Sequence, residues 1–148
     1  MIKLLVIHGP NLNLLGRREK NIYGATTLEE INKQIGDLIA EENGELKVFQ
    51  SNHEGVIVDT IQEWGGWADF LVINPGAFTH TSVAIRDAIL ATSVSTIEVH
   101  LSNIYRREAF RQHSYIADIA VGQISGLGPL GYSLAVQASL ALKAVAPR

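Results

Sequence analysis

Apolar and polar positions along the chain alternate between two periods. An apolar run from Ile2 to His8, closed by Gly9-Pro10, predicts a buried strand. A helix is predicted from Thr27, where Thr27 and Glu30 stand in capping-box spacing. Leu28, Ile31, Ile35, Leu38 and Ile39 form its apolar stripe, and Asn43-Gly44 ends it. Leu46 to Ser51 reads as a second strand, Gly55 to Trp64 as a second helix closed by Gly65-Gly66, and Asp69 to Asn74 as a third strand. Pro75-Gly76 turns the chain into a helix from Thr81 to Thr92, and Ser95 to Leu101 reads as a fourth strand. A short helical turn over Glu108 to His113, a fifth strand over Ile119 to Ile124, and a last helix from Pro129 towards Ala146 complete the pattern.

Strand–helix alternation repeated five times is the signature of a parallel sheet covered on both faces. The expected architecture is α/β, a flavodoxin-like doubly wound sheet of five parallel strands in three layers, with residues 1–148 as one domain. Ligands in such folds collect at the carboxyl ends of the strands. Those ends read His8-Gly9-Pro10-Asn11, Ser51-Asn52-His53, Asn74-Pro75-Gly76 and His100-Leu101-Ser102, and their His and Asn content points to a site there.

Composition narrows the chemistry. The chain of 148 residues is 47% hydrophobic and 18% charged, with a net charge of −3 at pH 7, and disorder or polyanion binding is not expected. The absence of cysteine removes disulfides, thiolate metal sites and a thiol nucleophile, and is compatible with a reducing compartment. The Met1–Gly9 run is too short for a signal peptide, and no window approaches a spanning helix. A soluble cytoplasmic protein is the expectation.

Several constellations carry candidate chemistry. The long connection from His8 to Thr27 holds Arg17, Arg18, Glu19 and Lys20, then Tyr23 between flanking glycines. It reads either as a solvated loop or as a Gly-hinged lid carrying Arg and Tyr over a pocket. Asn74 to Ser82 joins a strand end to a helix start, where backbone N–H groups and Asn74 could hold a carboxylate; a plain Pro-Gly turn with a cap explains all of it except Asn74 and His80. Strand alternation puts Glu98 and His100 on one face, where the carboxylate can fix the imidazole tautomer and stabilise its protonated form, as a general acid requires. Arg106, Arg107 and Arg111 follow, the last two at helical spacing, so five of the seven Arg lie in two short segments. Gly126 to Gly131 matches G-x-G-x-x-G, but it lies in the last unit and no acidic residue follows it; close strand–helix packing explains it better than a dinucleotide.

Taken in order, His8-Gly9-Pro10-Asn11-Leu12-Asn13, Leu15 to Glu19 leading to Tyr23-Gly24, Gln50 to Gly55, Asn74 to Ser82, Ile97 to Asn103, Arg107 to Arg111, His113-Ser114-Tyr115 and Gly126-Leu127-Gly128 resemble the type II 3-dehydroquinate dehydratases (type II dehydroquinases) over essentially the whole chain. The resemblance implies a cofactor-free, metal-free enzyme that dehydrates 3-dehydroquinate to 3-dehydroshikimate, in the shikimate pathway or in quinate breakdown. It implies Tyr23 as the base, Arg18 favouring its phenolate, and Asn11 holding an ordered water near the enolate. His100, oriented by Glu98, would protonate the departing hydroxyl. Asn74, Leu101 and Ser102 would bind the substrate carboxylate, His80 and Arg111 the ring hydroxyls, and Arg107 would add positive charge. It also implies a homododecamer built from trimers, in which Asp87 of a neighbouring subunit reaches the site. Lys20, where many members have Pro, and Arg106, where a small residue is commoner, depart from the pattern outside the proposed acid, base and carboxylate clamp. A non-enzymatic flavodoxin-like module, a flavin carrier or receiver domain, is the competing reading. A receiver would need acidic residues where His8 and Asn74 stand, and a flavin carrier would need a phosphate loop after the first strand.

The charge deficit is uneven. Residues 112–148 carry only Asp118, Lys143 and Arg148, and the last helix is apolar on nearly every side. A terminal helix of that kind needs cover beyond its own chain.

Overall fold

The structure, a computed structural model, describes residues 1–17 and 25–145. Its strands are β1 (Lys3–His8), β2 (Glu45–Gln50), β3 (Phe70–Asn74), β4 (Ser95–His100) and β5 (Gly122–Ser125). Its helices are α1 (Leu28–Glu41), α2 (Glu54–Trp64), α3 (Val83–Thr92) and α4 (Leu130–Val145). The strands form one sheet in the order β2-β1-β3-β4-β5, with every pairing parallel. This is the flavodoxin-like order, whose direction of winding switches between β1 and β3.

Alternation along the strands divides the core in two. Leu4, Val6, Phe70, Val72, Ile97 and Val99 face α1 and α4, where they meet Ile31, Ile35, Tyr132 and Val136. Leu5, Ile7, Leu71 and Ile73 face α2 and α3, against Ile57, Ile61, Ile85 and Ile89. Full burial of each such side chain contributes about 1.5–3 kcal/mol. The same alternation sends Asn74 towards α4 and Glu98 and His100 to the opposite face.

Local signals set the helix ends. Thr27 Oγ1 accepts the Glu30 N–H at 3.2 Å, and at the other end Asn43 adopts φ 54° while the Gly44 N–H returns to the Ile39 carbonyl. Ser82 caps α3 by accepting the Ile85 N–H at 2.9 Å, so that helix starts two residues later than expected.

The largest difference lies at β5, expected from Ile119 but formed only from Gly122. The N–H groups of Ile119 and Ala120 fold back onto the Ile116 carbonyl, which lets Ile119 pack on the α2/α3 side before the chain joins the sheet. The segment carrying Arg107 and Arg111 also differs. It forms two 3-10 turns, Ile104–Arg106 and Ala109–Arg111, with Arg107 extended between them, not one α-helical turn.

Gly126-Leu127-Gly128-Pro129-Leu130-Gly131 proves to be packing chemistry. A Cβ on Gly131 would touch Ile124 and Val99 at 3.4 Å, and Gly126, at φ +92°, has Asn103 against it. On α4, Tyr132, Ala135 and Val136 are buried, whereas Leu130, Leu142 and Val145 are exposed. Among the described residues no helix is long and apolar enough to cross a membrane.

Candidate active site

The carboxyl ends of β1 and β3 meet where Gly9 and Pro75 touch. A Cβ on Gly9 would lie 2.5 Å from the Pro75 carbonyl, and the Gly9 N–H donates to the Asn74 carbonyl at 2.7 Å. Only glycine permits that approach, and the residues that follow, Pro10 and Asn11 on one side and Gly76 on the other, line a cleft of about 180 Å³.

On one wall stands the buried pair expected from the sequence. His100 Nε2 lies 2.5 Å from Glu98 Oε2, and Glu98 is fully buried. Two further hydroxyls serve the same carboxylate: Thr79 donates to Oε2 at 2.7 Å, and Ser114 to both oxygens at 2.9 Å. Burial alone would raise the Glu98 carboxyl, but the hydrogen bond and charge of His100, with the Thr79 and Ser114 bonds, outweigh it and hold the group below its ordinary range. Glu98 is therefore a fixed anion that takes the Nε2–H of His100 and leaves Nδ1 as the nitrogen available to the cleft.

His80 lines the cleft beside it, its ring stacked on His100 at a centroid separation of 6.5 Å. The His80 Nδ1–H donates to the His113 carbonyl at 2.8 Å. Partial burial lowers the His80 imidazole against that bond's opposing effect, and the nearby His100 and Arg111 charges lower it further. A neutral His80 then offers Nε2 as an acceptor, which suits a ligand hydroxyl.

The other wall carries donors. Asn74, Leu101 and Ser102 line the cleft, and the backbone N–H groups of Leu101 and Ser102 have no acceptor among the described residues. Arg107 and Arg111 line its mouth, with Arg111 Nε held 2.7 Å from Glu108. Asn11 closes the near side at φ 70°, a left-handed conformation that Asn tolerates, and its N–H donates to Asn52 Oδ1 at 3.0 Å. Gln50 Nε2 donates to the same Asn52 oxygen and to the Gly9 carbonyl, each at 3.2 Å. Backbone N–H groups, an amide and guanidinium groups around one cleft form a receptor for an acceptor-rich anion.

The structure thus brings Asn11, Asn74, His80, His100, Leu101, Ser102, Arg107 and Arg111 to one cleft, with Glu98 directly behind His100. Asp87 does not line the cleft of its own chain; it is exposed on α3. Arg18, Lys20 and Tyr23, and with them the choice between a solvated loop and a lid, lie outside the described residues. Two of the strand-end histidines, His8 and His53, do not line the cleft. His53 is the N-cap residue of α2, and His8 is fully buried towards α1 and α4. Thr79 and Ser114 were not singled out from the sequence. Each lies within a motif that carries the family resemblance, but nothing local signals that either reaches Glu98.

His8 makes a testable contribution to stability. Burial pushes its imidazole down to about 4, against the opposing hydrogen bond to Asn32. The unfolded chain, with its His near the ordinary 6.5, binds the proton more readily, so stability is fully present above about pH 6.5 and lost as pH falls to about 4. The total is roughly 3 kcal/mol. Urea unfolding between pH 7 and pH 5 should show this decline, and His8→Asn should flatten it. An unchanged slope in that variant would assign the effect elsewhere.

Comparison with known proteins identifies the family. The family described as Dehydroquinase class II matches residues 2–140. A 3-dehydroquinate dehydratase of Polynucleobacter asymbioticus is 56% identical over 139 residues, covering 93% of each chain. One from Acaryochloris marina is 58% identical over 135 residues, covering 91% of each. The crystal structure of a type II dehydroquinase from Butyrivibrio crossotus superposes with a TM-score of 0.91 at 48% identity, covering 94% of this chain and 97% of that one. With the family's sequence pattern matched over residues 2–140 and the fold superposing over nearly the whole chain, the chain belongs to the type II dehydroquinase family.

Proposed function

We propose that this protein is a cytoplasmic hydro-lyase that converts 3-dehydroquinate to 3-dehydroshikimate by anti elimination through an enolate. The observation that carries the reading is the buried Glu98–His100 pair opening onto a cleft whose other wall is made of N–H donors. Tyr23, its phenolate favoured by Arg18, takes the proton alpha to the ketone, and the electron pair of that C–H bond moves into the enolate. A water held by Asn11 stabilises the enolate oxygen. The enolate then collapses to the conjugated enone as the beta C–O bond breaks, and His100 gives its proton to the departing hydroxyl, which leaves as water. Glu98 stabilises the imidazolium before transfer and keeps the tautomer after it.

Binding follows from the same walls. The substrate carboxylate takes the Asn74 amide and the Leu101 and Ser102 N–H groups. His80 and Arg111 hold ring hydroxyls, and Arg107 adds positive charge at the mouth. No cofactor enters this scheme, and among the described residues no cluster of His, Cys, Asp and Glu is arranged to hold a metal ion. The setting is the shikimate pathway or quinate catabolism.

A homododecamer of trimers completes the reading. Val83, Asp87 and Leu90 fall at helical spacing on one exposed face of α3, and the two apolar members are about half exposed, at 50% and 52%. That face suits a subunit contact which carries Asp87 into a neighbour's cleft. The flavin-carrier and receiver readings are not favoured: β1 and β3 end in His8 and Asn74, both bonded to Tyr132, where a receiver needs acidic groups.

The test is conversion of 3-dehydroquinate, with 3-dehydroshikimate identified by NMR. No product above a protein-free control contradicts the proposal.

A further inference from the structure

Behind Asn74, on the side away from the cleft, lies a buried chain of polar groups that the proposed chemistry does not use. Asn74 Nδ2 lies 3.1 Å from the Tyr132 hydroxyl, that hydroxyl lies 3.0 Å from His8 Nδ1, and His8 Nε2 lies 2.7 Å from Asn32 Oδ1. His8 and Tyr132 are essentially without solvent contact, at 0% and 1% exposure, so every polar atom here must be satisfied within the protein.

The direction of each bond follows from one unambiguous donor. The backbone N–H of Gly76 donates to Asn74 Oδ1 at 3.0 Å, which fixes that atom as oxygen and the other as nitrogen. An amide nitrogen only donates, so Asn74 gives one hydrogen to the Tyr132 oxygen. Among the described residues the Tyr132 proton then has a single acceptor in reach, His8 Nδ1. His8 must in turn carry its proton on Nε2, which it donates to Asn32 Oδ1. A flipped Asn74 amide would set Nδ2 against the Gly76 N–H and face Tyr132 with an oxygen for which it has no proton left.

We propose that His8 and Tyr132 are positioning residues that lock the Asn74 amide with its second Nδ2 hydrogen aimed into the cleft, as a donor for the carboxylate of the substrate. An Asn free to flip would present a carbonyl oxygen to that anion for part of the time, and affinity would fall by the fraction so lost. Neither residue touches the reacting atoms. The deep burial of His8, which favours its neutral form, keeps Nδ1 an acceptor across the neutral range. The inference rests on the substrate reading given under Proposed function for its kinetic consequence, but not for its hydrogen-bond directions.

The two are tested separately. Nitrogen-15 NMR of the wild-type protein should show His8 as the neutral tautomer protonated on Nε2; a proton on Nδ1 would overturn the lock whatever the enzyme acts on. In turnover of 3-dehydroquinate, Tyr132→Phe should raise KM about tenfold and change kcat less than about twofold, because binding remote from the reacting carbons is lost equally in ground and transition states. In an Asn74→Ala background the same Tyr132→Phe change should leave KM unaltered, since nothing remains to be positioned. Additive losses in the two backgrounds, or an unchanged KM in the single variant, would reduce Tyr132 to a packing role. Absence of turnover in the wild type would instead remove the substrate reading and leave the NMR result standing.

Discussion

His100→Ala should lower kcat by about 10² to 10⁴ while KM changes by less than about threefold, the range expected when a positioned general acid is removed. The reason is geometric. Hydroxide is a poor leaving group, so the beta C–O bond breaks readily only when a proton arrives with it. His100 is the cleft-lining imidazole whose partner nitrogen is fixed on a buried carboxylate, at 2.5 Å. Glu98 cannot take over, because it is fully buried behind the ring and its oxygens are occupied by Thr79 and Ser114. His80, 6.5 Å away ring to ring, has its Nδ1–H committed to the His113 carbonyl and is held towards its neutral form. Steady-state kinetics with 3-dehydroquinate decide the matter. A kcat within about fivefold of the wild type would show that another group delivers the proton.

Tyr23→Phe should abolish measurable turnover while the protein stays folded by circular dichroism. The exchange deletes one oxygen, the only atom through which this side chain could take the alpha proton. A phenol titrates near 10 in water, so its anion at pH 7 needs stabilisation of roughly 4 kcal/mol. One guanidinium about 4 Å away supplies a similar amount at an effective dielectric of 20, which is the role proposed for Arg18. Arg18→Ala should therefore shift the acidic, ascending limb of the pH–rate profile in kcat to higher pH rather than remove activity, whereas Tyr23→Phe removes it at every pH. Near-normal turnover in Tyr23→Phe would eliminate Tyr23 as the base.

The parts of this architecture that depend on neighbours in sequence could be read directly. Glu98 and His100 share a face because strand residues two apart always do, and Thr27 caps α1 because its hydroxyl needs only the N–H three residues on. Where the chain meets distant partners, the sequence said less. Thr79 and Ser114 reach Glu98 from 19 and 16 residues away, and no periodicity announces either contact. His8 resembles a rim residue by its place at a strand end, yet alternation turns it inward to Tyr132, 124 residues further on. The start of β5 is not legible because Ile119 is apolar for packing on the α2/α3 side before the chain enters the sheet. Arg107 and Arg111 stand four apart, but 3-10 turns rather than an α-helix bring both to the cleft.

The uneven charge also gains a physical meaning. Positive charge stands at the cleft mouth through Arg107 and Arg111, and the sparsely charged α4 keeps Leu130 and Val145 exposed at 57% and 77%. Those side chains have no cover within the described residues of the chain, in keeping with the proposed assembly.

In the proposed mechanism acid and base side chains alone carry out the dehydration. The most direct measurement follows the conjugated enone by ultraviolet absorbance after mixing protein with 3-dehydroquinate, in parallel samples with no addition, with a metal chelator and with borohydride. Equal initial rates in all three are predicted, because Lys3, Lys20, Lys33, Lys47 and Lys143 all lie outside the proposed acid, base and binding set and no imine is formed. Inactivation by borohydride in the presence of substrate, or loss of the rate on chelation, would contradict the account.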